Sequence, residues 1–219
     1  MTIQNLLSTT PAALGAADTV EHALGQMLEC GLSHLPVITQ EGRLAGIVSE
    51  EQLLSAFDSE APTRALLDRS PVSARPDDHV FDVTKTMVRH DLTMVPIAEE
   101  DGRYVGLVRR YDLFDQFARM LSTQETGAIL ALEVEPRDYA LSKLVYAAEQ
   151  SGVKVLSAAA EPPEGSDEDF RVTVKLNTTD ATRVRHMLEH EGYRVVASFG
   201  EDEDDLLERV QEFMRYLEV

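Results

Sequence analysis

Leu35-Pro36-Val37-Ile38, a turn around Gly42, then Leu44-Ala45-Gly46-Ile47-Val48-Ser49 reads as a β-hairpin: two short apolar runs joined by a glycine-centred polar loop. Sixty residues on, Val95-Pro96-Ile97-Ala98, Gly102 and Tyr104-Val105-Gly106-Leu107-Val108-Arg109 write the same hairpin again. The same offset ties Leu6-Leu7 to Leu66-Leu67, Pro11 to Pro71, Val20 to Val80, Met27 to Met87 and Leu53 to Leu113. A repeat this regular implies one duplicated supersecondary unit, whose two copies are expected to bury a shared face. Paired copies create clefts, and the differences between them show which cleft keeps its binding groups.

Outward from each hairpin the spacing predicts a helix before it, Val20 to Cys30 and Val80 to His90. In the first, Val20, Ala23, Leu24, Met27 and Leu28 fall at helical intervals. Asp18 and Asp78 stand just ahead, where a carboxylate can accept from free backbone N–H groups. Extended leads over Thr10 to Leu14 and Pro71 to Ala74, and closing helices over Glu50 to Phe57 and Tyr111 to Met120, complete β-α-β-β-α twice, in residues 1–60 and 61–121. From Thr126 the register is lost. Strands are expected at Ala128 to Val134, Val153 to Ala160, Phe170 to Leu176 and Tyr193 to Phe199, and helices at Tyr139 to Gln150 and Asp180 to Glu191, the latter capped by Asp180. The polar stretch Pro162 to Asp169 reads as a loop. The order over residues 126–200 is β-α-β-β-α-β, ferredoxin-like. Residues 201–219 carry Leu206, Leu207, Val210, Phe213, Met214 and Leu217 at the spacing of one apolar helix face. The fold class is α/β (α+β).

The chain has 219 residues and a formal charge of −19, and of its 20 cations only Lys85, Lys143, Lys154 and Lys175 are lysine. So acidic a surface repels phosphate backbones and argues against nucleic-acid binding. It reads as a solvated acidic coat, or as adaptation to high salt. No apolar run approaches the roughly 18 residues of a membrane span, and no basic segment followed by an apolar run suggests a secretory signal. The single cysteine, Cys30, cannot form an internal disulfide, which fits a reducing cytoplasm.

The repeats resemble the CBS domain, a small module usually found in pairs. Leu35-Pro36-Val37 with Gly42-x-x-x-Gly46-Ile47-Val48-Ser49 carries the resemblance. Its copy is Val95-Pro96-Ile97 with Gly102-x-x-x-Gly106-Leu107-Val108-Arg109-x-x-Asp112. The resemblance implies binding of adenosine-containing ligands, such as AMP, ADP, ATP or S-adenosylmethionine, in clefts between the repeats. The family motif ends in Ser/Thr-x-x-Asp: a carboxylate accepts from ribose hydroxyls and a hydroxyl donates to phosphate. Here the copies diverge. The first ends Ser49-Glu50-Glu51-Gln52, with an amide for the carboxylate; the second ends Arg109-Arg110-Tyr111-Asp112, with a guanidinium for the hydroxyl. A planar fork of donors suits phosphate well. The competent cleft is therefore expected on Asp112 and Arg109, walled by Thr10, Ala12, Leu32, Ser33 and His34. A second, weaker cleft would hold Ser49, Gln52, Thr93 and Met94. Family likeness also implies a homodimer.

Residues 126–199 look like an ACT domain. Leu130-Ala-Leu-Glu-Val-Glu-Pro-Arg137, Ala140-Leu-Ser-Lys-Leu144 and Gly152-Val-Lys-Val-Leu-Ser157 carry that likeness. Amino-acid-binding members usually carry Gly between first strand and first helix, where this chain has Asp138-Tyr139. Sheet association is thus the expected use, rather than a ligand. A CBS pair followed by an ACT-like domain is similar to acetoin-utilisation-type regulatory proteins.

One catalytic pattern stands out, His186-Met-Leu-Glu189-His190, the H-x-x-E-H of some zinc peptidases. A third ligand and a substrate cleft have little room, since 29 residues follow His190. The expected function is non-catalytic and cytoplasmic: sensing an adenine nucleotide as regulatory ligand, with relay to the ACT-like domain or a protein partner. No cofactor and no metal are expected. A ligand-free dimeric scaffold with both clefts degenerate is the alternative reading.

Overall fold

The computed structural model describes residues 2–67, 71–163, 165 and 169–200. The chain divides into two compact units, Met1–Gln116 and Phe117–Val219.

The first unit holds both repeats. Repeat one runs β1 (Leu14–Gly15), α1 (Val20–Cys30), β2 (His34–Ile38), β3 (Leu44–Ser49) and α2 (Glu50–Leu54). Repeat two runs α3 (Val80–Arg89), β4 (Met94–Ala98), β5 (Tyr104–Arg109) and α4 (Arg110–Met120). In repeat one, β1 pairs parallel to β2 through Leu14 and Val37. In repeat two the leading strand shrinks to Ala74, bridged parallel to Ile97. Each hairpin turns on a glycine in the left-handed region, Gly42 at φ 74° and Gly102 at φ 83°, a conformation without steric cost only for glycine.

Helix α1 keeps the expected limits, and Val20, Ala23 and Met27 are buried at 3–4 residue spacing. Its end caps are not the expected carboxylates. Thr19 Oγ1 accepts the His22 N–H at 3.2 Å and His79 Nδ1 accepts the Phe81 N–H at 3.3 Å. Asp18 and Asp78 instead close the turns ahead, accepting from Gly15 N and Arg75 N at 2.7 and 2.8 Å. Leu28, expected on the buried face, is 86% exposed, and its repeat-equivalent Val88 is 74% exposed.

The repeats interlock through their leads. Residues 3–8 of repeat one reach across to repeat two: Ile3 N donates to Asp78 O at 3.3 Å, and Ser8 exchanges hydrogen bonds with Leu107 at 2.9 and 2.8 Å. The lead of repeat two returns the exchange, with Thr63 N donating to Asp18 O at 2.8 Å and Thr63 Oγ1 to Gly15 O at 3.1 Å. The hairpin tips join as well, Leu44 N to Gly102 O at 2.9 Å and Tyr104 N to Gly42 O at 3.0 Å. The core under them is shared: Leu14, Val20, Met27, Leu35, Val37, Val48 and Leu53 pack with Met94 and Leu107 of the other repeat. Burying one continuous apolar surface is the main stabilising term for such a pair.

The second unit is ferredoxin-like. Strands β6 (Ile129–Val134), β7 (Val155–Glu161), β8 (Phe170–Leu176) and β9 (Arg194–Phe199) lie in the order β7-β8-β6-β9, antiparallel throughout. Helices α5 (Leu141–Glu149) and α6 (Thr182–His190) complete β-α-β-β-α-β. Along β6, Leu130, Leu132 and Val134 alternate inward onto Leu144 and Ala148 of α5 and Val184 and Leu188 of α6. Asp180 accepts from Thr182 N at 2.9 Å but lies one residue before the N-cap, Ala181. The expected helix over 201–219 lies outside the described residues.

Candidate functional site

At the start of α4, Arg109 and Asp112 form a two-pronged ion pair. Nε donates to Oδ2 at 2.8 Å and Nη2 to Oδ1 at 2.9 Å. The hydrogen bonds it donates to Asp112 hold the guanidinium above its ordinary pKa, so the fork stays charged. A carboxylate offers about four lone-pair positions; the fork occupies two, and the remainder can accept from hydroxyls. Cys30, at the C-terminal end of α1, lies within electrostatic reach of Arg109.

The equivalent place in repeat one is built differently. Ser49 and Gln52 form a reciprocal capping box on α2. Gln52 N donates to Ser49 Oγ at 3.2 Å, and Ser49 N donates to Gln52 Oε1 at 2.9 Å. These residues open on a cavity of about 330 Å³ lined by His34, Gly46, Ile47, Ser49, Glu51, Gln52, Val72, His90 and Leu92. That volume falls at the small end of ligand pockets, which start near 300 Å³. On its far side Arg110 ties the end of α3 to the start of α4, donating to Leu92 O at 2.7 Å and Asp91 Oδ1 at 3.0 Å.

Two of the expected wall residues, His34 and Met94, lie elsewhere than expected. His34, expected beside Asp112, lines the Gln52 cavity, because it opens β2 and pairs with Ser49 of β3. Met94, assigned to the Gln52 cleft, is fully buried in the shared core. Thr93 does meet that cleft through His34, its Oγ1 at 3.2 Å from Nδ1. Thr10 and Ala12 are exposed; Ala12 O accepts from Gln26 Nε2 at 2.5 Å. Ser33 O accepts the Glu50 N–H at 2.9 Å, and Leu32 is buried in the core. Sequence reasoning missed Val72, His90, Leu92 and Glu51. Shifting the wall Val72, His90, Leu92 back by the sixty-residue period gives Ala12, Cys30 and Leu32, and so adds Cys30 to the Asp112 wall.

Burial lowers the His34 pKa from 6.5, with Arg110 lowering it further and Asp91 opposing. The folded state therefore resists protonation, and the unfolded state binds more protons as pH falls. His34's contribution should be complete above its unfolded value of 6.5 and lost as pH drops from there through the lowered folded value. Urea midpoints should fall from pH 8 to pH 5, and His34→Gln should flatten that slope; an unchanged slope would contradict the assignment.

In the ferredoxin-like unit a cavity of about 710 Å³ is lined by Glu133, Asp138, Lys143, Tyr146, Tyr193 and Arg194 among others. Tyr139 is stacked on Phe170 with centroids 4.2 Å apart. His186, Glu189 and His190 of the H-x-x-E-H pattern are exposed on α6, where Glu189 is engaged by Arg185 at 2.9 Å. Among the described residues no group of three or more His, Cys, Asp or Glu could hold a metal ion. No described helix is long and apolar enough to cross a membrane.

A family model described as CBS domain matches residues 3–59 and 64–119. The A-adding tRNA nucleotidyltransferase of Aquifex aeolicus is 29% identical over 113 residues, 51% of this chain and 14% of that protein. Inosine-5'-monophosphate dehydrogenase of Korarchaeum cryptofilum is 27% identical over 123 residues, 56% of this chain and 25% of its own length. The match thus spans a quarter or less of either curated relative. A solved CBS domain pair/ACT domain protein from Thermotoga maritima shares the fold at TM-score 0.51 and 19% identity, over 55% of this chain and 99% of that one.

Proposed function

Because the chain belongs to the CBS-domain family, with two copies over half its length, we propose that it is a non-catalytic regulatory protein sensing an adenosine-containing ligand. The Arg109–Asp112 fork carries this reading. It sets spare carboxylate lone pairs, suited to a ribose diol, beside a guanidinium suited to phosphate. Occupancy would change the packing of the interlocked repeats, to the extent that the ligand binds the two arrangements unequally. The ACT-like unit or a protein partner then reads that change.

A homodimer is the assembly we infer. Its support is apolar residues left exposed at repeat-equivalent positions, Leu28 with Val88 and Leu54 with Phe114. Such pairing about a pseudo-two-fold suits an isologous contact with a second copy. Sedimentation equilibrium should report two chains, and a monomer would contradict it.

The experiment on the ligand is a thermal-shift series with AMP, ADP, ATP, S-adenosylmethionine and cyclic di-AMP. At about 100 times its dissociation constant, the ligand adds about 2.7 kcal/mol to the folded state. A raised melting temperature with at least one of them is expected. No shift from any, in a protein that melts cooperatively, favours the ligand-free scaffold.

A further inference from the structure

The two repeats present different hydrogen-bonding groups at equivalent positions, a carboxylate with a guanidinium in one and an amide with a hydroxyl in the other. At Asp112 the cleft offers acceptor oxygens, with the Arg109 fork using part of them. At Gln52 part of the acceptor capacity is taken within the fold. Its Oε1 takes the Ser49 backbone N–H at 2.9 Å, which occupies one of that oxygen's two lone pairs and engages neither amide N–H donor of the side chain. Ser49 Oγ is likewise engaged, accepting from Gln52 N at 3.2 Å.

His34 adds a second donor to the same cavity. Its Nδ1 accepts the Thr93 backbone N–H at 3.4 Å, which puts the proton of the neutral ring on Nε2. Burial favours that neutral ring. Ile47, Val72 and Leu92 supply apolar walls, and Gly46 leaves one wall without a side chain. Glu51 lines the same cavity and His90 stands in its wall, both exposed.

A ribose diol can donate to Asp112 and can also accept at Gln52, but phosphate oxygens, charged and acceptor-only, accept more strongly from the Gln52 amide and a His34 N–H. We propose that the Gln52 cleft takes a nucleotide whose ribose 2' or 3' oxygen is esterified to phosphate, so that acceptor oxygens meet the Gln52 amide and His34 Nε2–H. The proposal rests on the reading that these clefts bind nucleotides. A phosphodiester, carrying one charge, meets Glu51 with less repulsion than a dianionic monoester.

The test uses the full chain carrying Asp112→Ala, or Asp112→Asn if the first variant melts poorly, so that binding reports the Gln52 cleft. Calorimetric titrations compare 5'-AMP with adenosine 3'-monophosphate and adenosine 2',3'-cyclic monophosphate, which separate monoester from diester. The esterified riboses should bind about tenfold tighter than 5'-AMP, the size expected for one or two matched hydrogen bonds. Gln52→Glu keeps a capping box, since Glu serves at that position as Gln does, and replaces the donor by an acceptor. It should reverse the order in favour of 5'-AMP. Equal or preferred binding of 5'-AMP with Gln52 intact, no binding of the esterified riboses, or an order indifferent to Gln52→Glu would each overturn the proposal. Binding of 5'-AMP to the unsubstituted chain, measured beside them, separates these failures from failure of the nucleotide reading itself.

Discussion

Asp112→Ala is expected to abolish nucleotide stabilisation while leaving the unliganded fold nearly intact. The Arg109–Asp112 pair is partly exposed, with side chains at 42% and 19% accessibility, and exposed pairs are worth about 0–1 kcal/mol. The ligand's contribution at about 100 times its dissociation constant is larger, about 2.7 kcal/mol, and it depends on the carboxylate. Melting curves with and without 5'-AMP should therefore separate in the unsubstituted protein and coincide in the variant. A shift retained in Asp112→Ala would move the ligand away from this cleft.

The same chemical change at two glycines should act in opposite directions. A Cβ at Gly106 would sit 2.7 Å from the Ser8 backbone oxygen and 3.2 Å from Leu7 Cγ. Ser8 cannot retreat without breaking its two hydrogen bonds to Leu107, the clasp that brings the first lead onto the second repeat. Gly106→Ala should cost about 1–3 kcal/mol, the usual range for overpacking. At Gly25, inside α1, a Cβ meets nothing within 4 Å, so Gly25→Ala should gain about 0.5–1 kcal/mol by restricting the unfolded chain. Urea denaturation of both variants checks the pair. A stabilised Gly106→Ala would mean that the interlocked leads are not part of the folded protein.

The hairpins, helices and repeat period are legible because each rests on local pattern. The alternation in β6 and the 3–4 spacing in α1 give the buried faces directly. What sequence does not reveal is exchange between equivalents. The period says that residues 3–8 and 63–66 match, but not that each lead packs on the other copy, which is a choice between two arrangements with the same local chemistry. His34 is a case of the same kind. As the residue after a helix it can be assigned to either cleft, and only its pairing with Ser49 decides. Met94 is expected from sequence in the weaker cleft, yet all of β4 is buried, which takes its side chain into the shared core. The caps failed for a different reason: Asp and Thr are both good caps, and Asp18 is drawn one turn earlier by the Gly15 N–H. Within the candidate site, Asp112 and Arg109 followed from the difference between copies, whereas Val72, His90 and Leu92 needed the fold.

Calorimetric titration of 5'-AMP into the unsubstituted chain and into Asp112→Ala, side by side, asks whether the Asp112 carboxylate holds an adenosine ligand. Saturable heat is expected in the first, with its main binding event lost in the second. Equal isotherms in the two proteins, or no heat in either from a chain that melts cooperatively, would contradict it.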